Sequence, residues 1–224
     1  QIGDLLQEGK PVILNPLYYE CPILCSVVLD AMFGVLDMMA WTPGEEYVII
    51  SFSIDPEEKH PIAAETKKEY LERLNRPSAA EGWHFLTGNE PAISTLADAV
   101  GFGYTYDEAN DQYVHLASVM MLSPEGVVTR YLYGASFDEF NFRNALYESA
   151  DGKIGSAIDR VILSCFTYDP SSNSYVPVAI NIMKLGGLAT VIILGIFLGV
   201  FWRRERGTSE PSNYQIDTLN EQTE

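Results

Sequence analysis

The sequence predicts an α/β domain: a mostly parallel central sheet with helices on both faces and an antiparallel hairpin at its C-terminal side, followed by one C-terminal transmembrane helix. Three observations lead there. Up to Val100, apolar runs of strand length alternate with stretches of helical spacing, the pattern of β-α-β units. Two strand-like runs then flank Ser123-Pro124-Glu125-Gly126, a hairpin signal. Last, Leu185 to Trp202 runs without a charge, close to the ~20 residues a membrane-crossing helix needs.

Each element follows from local chemistry. Pro11 to Tyr18 is a short apolar run that reads as a buried strand despite Pro16. Ile23, Val27, Val28, Ala31, Val35, Leu36 and Met39 fall on one helical face, and Thr42-Pro43-Gly44 stops that helix. Tyr47 to Ile54 is the second strand, closed by Asp55-Pro56; Pro61 to Leu74 is the second helix. His84 to Leu86 is a brief third strand, and Pro91 to Val100 a helix ended by Gly101. Leu116 to Leu122 and Val127 to Tyr133 form the hairpin, and Ser136 is the expected N-cap of a last helix to Ser149. The expected organisation is a domain over 1–150, a connector over 151–183 with turn signals at Asp169-Pro170 and Ser171-Ser172-Asn173, a transmembrane helix over 184–203 and a polar tail over 204–224.

Charge narrows the function classes. With 14 Lys+Arg against 31 Asp+Glu the net charge is −17, which argues against nucleic acid, whose recognition rests on cations that neutralise phosphates. The 47% hydrophobic content is enough for a core, so the acidity is not that of a disordered chain. Arg203, Arg204 and Arg206 directly follow the apolar span, and the positive-inside rule then puts the tail in the cytoplasm and the domain outside. That topology calls for a signal peptide; QIGDLLQEGK does not look like one, so the chain is expected to be mature or to lack its true start.

The chemistry is expected at Cys21-Pro22-Ile23-Leu24-Cys25, where a strand hands over to a helix. Four-residue spacing puts both sulfurs on one face of the first turn, and the N–H groups of a helix start favour thiolates. Helical Cα atoms at this spacing lie roughly 6 Å apart, within disulfide range. A reversible disulfide, a two-thiolate metal clip and an inert bridge all fit, and spacing does not choose between them. His115 is a third candidate: it precedes the first hairpin strand, whose start the inferred sheet allows beside the cysteine turn. Two thiolates and one imidazole suit Cu(I), with Cu(II) and zinc also accepted. His60, amid charges, and His84, in a strand beside Trp83, read as ordinary surface and sheet residues.

Together YYECPILC, His115, Ser53-Ile54-Asp55-Pro56, Trp83-His84-Phe85-Leu86-Thr87-Gly88 and Leu122-Ser123-Pro124-Glu125-Gly126 resemble the SCO/SenC family, from about Lys10 to Ala150. The resemblance implies a thioredoxin-like fold and copper ligands at Cys21, Cys25 and His115. It further implies a periplasmic copper chaperone anchored in the bacterial inner membrane, with the copper-site subunit of cytochrome c oxidase or another membrane complex as partner. Many members carry Pro after the second cysteine and Asp before the histidine; here Ser26 and Val114 stand there, and the missing Asp bears on how the imidazole is oriented. Cys165-Phe166-Thr167-Tyr168-Asp169-Pro170 resembles a CxxYDP segment of a bacterial branch with a C-terminal anchor.

Two other functions fit the same residues. Cys21 and Cys25 as a redox pair would make a thiol–disulfide oxidoreductase that reduces client cysteines, although that chemistry needs no His115. A structural subunit of a respiratory or photosynthetic complex would use the span, whose Gly195 to Gly199 is a GxxxG. Cys165 reads first as a buried, inert thiol. Asp107, Glu108 and Asp111 read first as a solvated face, and second as a dock for a basic partner.

Overall fold

The computed structural model describes residues 2–206 except 8, 22, 23, 170, 171 and 173. The expected tail from 207 on, Pro22, Ile23 and most of the Ser171-Ser172-Asn173 turn therefore lie outside the described residues.

Strand β1 (Val12–Leu17) pairs in parallel with β2 (Val48–Ser53), and β2 with β3 (Trp83–Leu86). On its other side β1 pairs antiparallel with β6 (Ser118–Leu122), which pairs with β7 (Val128–Tyr133). The order β3-β2-β1-β6-β7 puts β1 and β2 inside the sheet, where every residue of both is buried. Fully covered strands read as near-continuous apolar runs, and both do apart from the buried Asn15, Ser51 and Ser53. Pro16 is tolerated in β1 beyond the last residue paired with β6, so its missing N–H costs no bond there.

Helix α1 (Leu24–Met38) crosses from β1 to β2, and α2 (His60–Leu74) from β2 to β3. Such crossovers are right-handed, which puts both helices on one face. Trp83 and Phe85 meet Tyr70 of α2 there. Leu86, of opposite parity on β3, lines a cleft with Ile93 and Leu96 of α4 (Glu90–Ala99). Helices thus cover both faces. Arg76 closes the C-terminal end of α1: its guanidinium donates to Asp37 O, Met39 O and Trp41 O at 2.8–3.0 Å, satisfying carbonyls a helix end leaves open. Between α2 and β3, the short helix α3 (Ala79–Gly82) brings Gly82 against Gly44, where a Cβ would stand 1.8 Å from the Gly44 nitrogen.

Three expectations need correcting. The N-cap of α5 (Glu139–Ser149) is Asp138, whose side chain accepts from the Asn141 N–H at 2.9 Å; Ser136 does not cap it. Phe137 decides the position, because its ring packs on Phe142, 5.8 Å between centroids, a hydrophobic staple across the cap. The hairpin strand expected from Leu116 starts at Ser118, and His115 belongs instead to a separate ribbon of β4 (Tyr104–Asp107) and β5 (Gln112–His115). Finally, the expected connector holds structure: α6 (Ala157–Leu163), opened by a Ser156/Asp159 capping box, and a hairpin of β8 (Phe166–Asp169) and β9 (Ser174–Pro177). β9 is tied to α5, the Tyr175 N–H donating to Asn141 Oδ1 and its hydroxyl to Glu148.

Residues 1–177 form one compact unit. The second unit, from Val178 on, holds α7 (Ala179–Arg206), in which Ile180–Arg204 has a mean hydropathy of 2.3 and is long and apolar enough to cross a membrane.

Candidate metal centre

Past β1 the chain makes a turn at Tyr19 and Glu20, and the Cys21 N–H donates to Tyr18 O at 3.3 Å. Two side chains fix this turn. The Tyr19 hydroxyl donates to Leu86 O at 3.0 Å, and its ring stacks on Phe85. Burial, with the charge of Glu58 added, pushes that phenol well above its usual range. On the other side Glu58, only 5% exposed, accepts the Glu20 N–H at 2.7 Å and the Ser53 hydroxyl at 2.5 Å. Ser53 Oγ in turn accepts from the Asp55 N–H at 3.0 Å. The Ser53-Ile54-Asp55-Pro56 strand end is thus a clamp on the residue before Cys21.

Cys21 is half-buried and packs against the edge of the core. Cys25 is the second residue of α1, so its backbone lies in the helix's first turn, among N–H groups that carry partial positive charge. Its side chain lies outside what the structure describes.

His115 ends β5, paired with Tyr104. Its Nδ1 lies 3.1 Å from Leu116 O, which fits an Nδ1–H tautomer and makes Nε2 the lone-pair nitrogen. Side chains two apart on a strand share a side, so Tyr113 points as His115 does. The Tyr113 ring meets Tyr18 edge-on at 5.7 Å, three residues before Cys21. Burial, with Asp55 the next contributor, pushes the Tyr113 phenol up to about 12. The ribbon that carries His115 is therefore fastened to the end of β1 that leads into Cys21. Among the described residues no three His, Cys, Asp or Glu side chains come together as a metal cluster; with the Cys25 sulfur undescribed, the expected three-donor set is not represented there.

The remaining candidates divide cleanly. His60 is exposed at the start of α2. His84 has a buried Nε2 without a hydrogen-bond partner, and burial beside Lys67 lowers its pKa. Cys165 is buried, its Sγ 3.5 Å from Val161 O. Asp107 and Asp111 serve the ribbon's own turn: Asp107 accepts from the Ala109 N–H at 3.0 Å and Asn110 Nδ2 at 2.7 Å, bonds that lower its pKa, while Asp111 accepts from the Tyr106 hydroxyl. Sequence reasoning assigned no role to Tyr18 and Tyr19, which stand in the cysteine motif, and did not mark Glu58 or Tyr113 as supports of the site. Glu58 sits in the charged run Glu57-Glu58-Lys59, which looks solvated, so only the polar Ser53 at a strand end hinted at it.

A five-stranded sheet in which the first parallel strand runs, through a cysteine turn, into a helix with a second cysteine in its first turn defines a thioredoxin-like domain. Residues 3–143 match the SCO1/SenC family, and the chain belongs to it. Among solved structures it is similar to a candidate electron transfer protein from Aquifex aeolicus VF5, at 27% identity over 68% of this chain and 83% of that one, TM-score 0.58. A candidate electron transport protein from the same organism matches at 27% over 68% and 87%, TM-score 0.50. A SCO1/SenC family lipoprotein from Bacillus anthracis shares the fold at 19% identity over 66% and 83%, TM-score 0.50. No curated protein matches the chain.

Proposed function

We propose that this protein is a membrane-anchored copper chaperone that holds copper between Cys21, Cys25 and His115 and delivers it to the copper centre of cytochrome c oxidase. The Tyr18–Tyr113 contact carries this reading, because it ties the histidine ribbon to the strand end that leads into the cysteines. Family membership supports copper as the cargo. Two thiolates and an imidazole form a soft, three-donor set that favours Cu(I) over oxygen-preferring ions.

In this account both thiols lose their protons on binding, helped by the N–H groups at the start of α1. The Nδ1···O=C contact at Leu116 supports Nε2 as the nitrogen that would bind the cargo. Three donors leave a coordination position through which a client ligand attacks, so copper leaves by stepwise exchange. An oxidised Cys21–Cys25 pair would have no thiolate to offer until two electrons reduce it. Helix α7 crosses the inner membrane with Arg203, Arg204 and Arg206 on the cytoplasmic side, so that donor and client work at one membrane surface.

Copper titration of the reduced full chain in detergent tests this, beside Cys21→Ser, Cys25→Ser and His115→Ala. One copper per chain, sharply weakened in all three variants, is expected. Copper binding untouched by His115→Ala would remove the histidine. No binding by the reduced wild type, with a readily cycled disulfide, would leave the thiol–disulfide oxidoreductase.

A further inference from the structure

Tyr104, Tyr106, Tyr113 and His115 share one side of the β4–β5 ribbon, because cross-strand partners point the same way and the side alternates along each strand. From there rings run without a break between solvent and the candidate copper donors. Tyr106, 46% exposed, lies 5.1 Å from Tyr113 between ring centroids. One branch goes from Tyr113 to Tyr18 at 5.7 Å, whose carbonyl accepts the Cys21 N–H. The other goes to Tyr104 at 5.9 Å, then to Phe102 at 6.4 Å and to the His115 imidazole at 5.4 Å. Each step falls in the roughly 4.5–7 Å range of aromatic rings in contact.

Packing alone accounts for the inner rings, but the outer end has an added device. The Tyr106 hydroxyl donates to the Asp111 carboxylate across the turn of its own ribbon. A phenol gives up an electron far more readily when a base takes its proton in the same event, and Asp111 stands where that base is needed. The charges that act on Tyr106, among the described residues, are those of Asp111, Glu108 and Asp55. All are negative, and a negative surround favours the loss of an electron. A half-exposed phenol with its own base, in ring contact with paths to Cys21 and His115, is a port of entry for a one-electron oxidant.

We propose that this ring run lets bound Cu(I) quench one-electron oxidants of the radical class, such as a peroxyl radical, that strike the domain at Tyr106. Tyr106 gives an electron to the radical, which becomes an anion, and its proton to Asp111. Tyr106 is then restored by an electron from Cu(I), with the intervening rings as the bridge, and takes its proton back from Asp111. In sum one radical is reduced to its anion and one Cu(I) becomes Cu(II). The electron runs downhill, because a phenoxyl radical is a stronger oxidant than Cu(II) held by thiolates. This rests on the copper reading above.

The reduced full chain in detergent, loaded with one equivalent of Cu(I), is oxidised by flash-generated tris(bipyridine)ruthenium(III), and samples frozen at set times are read by electron paramagnetic resonance. Bound copper is measured on each protein before the flash. In the wild type a prompt Cu(II) signal is expected, with a tyrosyl signal that persists only in the copper-free chain. Tyr106→Phe keeps the ring and loses the O–H; it should bind copper as the wild type does, yet lose most of the prompt Cu(II) signal. Tyr133→Phe, at a tyrosine 52% exposed that stacks on Tyr131 outside the run, should leave that signal unchanged. Prompt Cu(II) undiminished in Tyr106→Phe, or lost equally in Tyr133→Phe, overturns the inference alone. A reduced chain that takes up no Cu(I) overturns it together with the copper reading.

Discussion

Replacing Glu58 by Ala tests whether the cysteine turn is held from behind. The carboxylate accepts two hydrogen bonds in a site only 5% exposed, from the Glu20 N–H and from Ser53 Oγ. Bonds to a charged group contribute about 1.5–3 kcal/mol each, and removing the acceptor also leaves the buried donors without it. The two bonds share one side chain, so their losses overlap, and about 3 kcal/mol is expected in total. For a unit of this size each kcal/mol moves Tm by about 2–4 °C, so Glu58→Ala should melt about 6–12 °C lower. Glu58→Gln keeps an acceptor for the Glu20 N–H and offers its amide to the Ser53 lone pair; about 1 kcal/mol, or about 2–4 °C, is expected. Calorimetry of the reduced 1–177 unit reads both. Chelator competition for Cu(I) should show the alanine variant weakened and the glutamine variant close to wild type, since only the first frees the Cys21 turn. A Glu58→Ala protein that melts within about 1 °C of wild type would refute the clamp, because no satisfied buried carboxylate is lost so cheaply.

Other expectations follow from the same geometry. Tyr113→Ser removes the ring that meets Tyr18 and, with its contact to Tyr106, loosens the ribbon. It should weaken copper binding about tenfold, the equivalent of an aromatic pair's ~1.4 kcal/mol, with all three donors present, and unchanged affinity would break the link between ribbon and site. Gly82→Ala would drive a methyl into the Gly44 backbone, and should cost about 3 kcal/mol or more in urea unfolding; Gly34→Ala, in α1 with nothing within 4 Å of the new Cβ, should instead stabilise by about 0.5–1 kcal/mol. Alkali should unfold the domain from about pH 10. Tyr19 and Tyr47 have folded pKa values raised by burial, so above the ordinary tyrosine pKa the unfolded chain loses protons that the folded chain keeps. Stability is then full below about pH 10 and falls by up to about 1.4 kcal/mol per pH unit for each such tyrosine; urea unfolding at stepped pH should show that fall above about pH 10, and a midpoint that does not move there would contradict it.

How far the sequence could be read depended on how burial is distributed. The runs at β1 and β2 are covered on both faces, so hydrophobicity alone marks them, and the alternation with α1, α2 and α4 follows. The β4–β5 ribbon is different. Its residues are half-exposed, with Asp107, Glu108 and Asp111 at the tip, so no apolar run announces it. The clue was finer: Tyr104, Tyr106, Tyr113 and His115 alternate along two short segments, and the Tyr113 ring meets those of Tyr104 and Tyr106. Helix α6 carries Ser156 and Asp159 at capping-box spacing, but Ile158, Val161 and Ile162 face outward and only Leu163 joins the core, so no buried face announced it. At the site, the donors are marked by their chemistry and by the family resemblance. The clamp is marked only in part: Tyr19 and Ser53 lie in motifs that carry the resemblance, while Glu58, which joins them, is indistinguishable in sequence from its solvated neighbours until the turn closes over it.

X-ray absorption of the reduced full chain loaded with one equivalent of Cu(I) tests the copper site most directly. Two sulfur scatterers and one imidazole nitrogen are expected, with the nitrogen lost in His115→Ala and one sulfur lost in each of Cys21→Ser and Cys25→Ser. A spectrum of oxygen and nitrogen donors only, or one that keeps its imidazole in His115→Ala, would contradict the three-donor site.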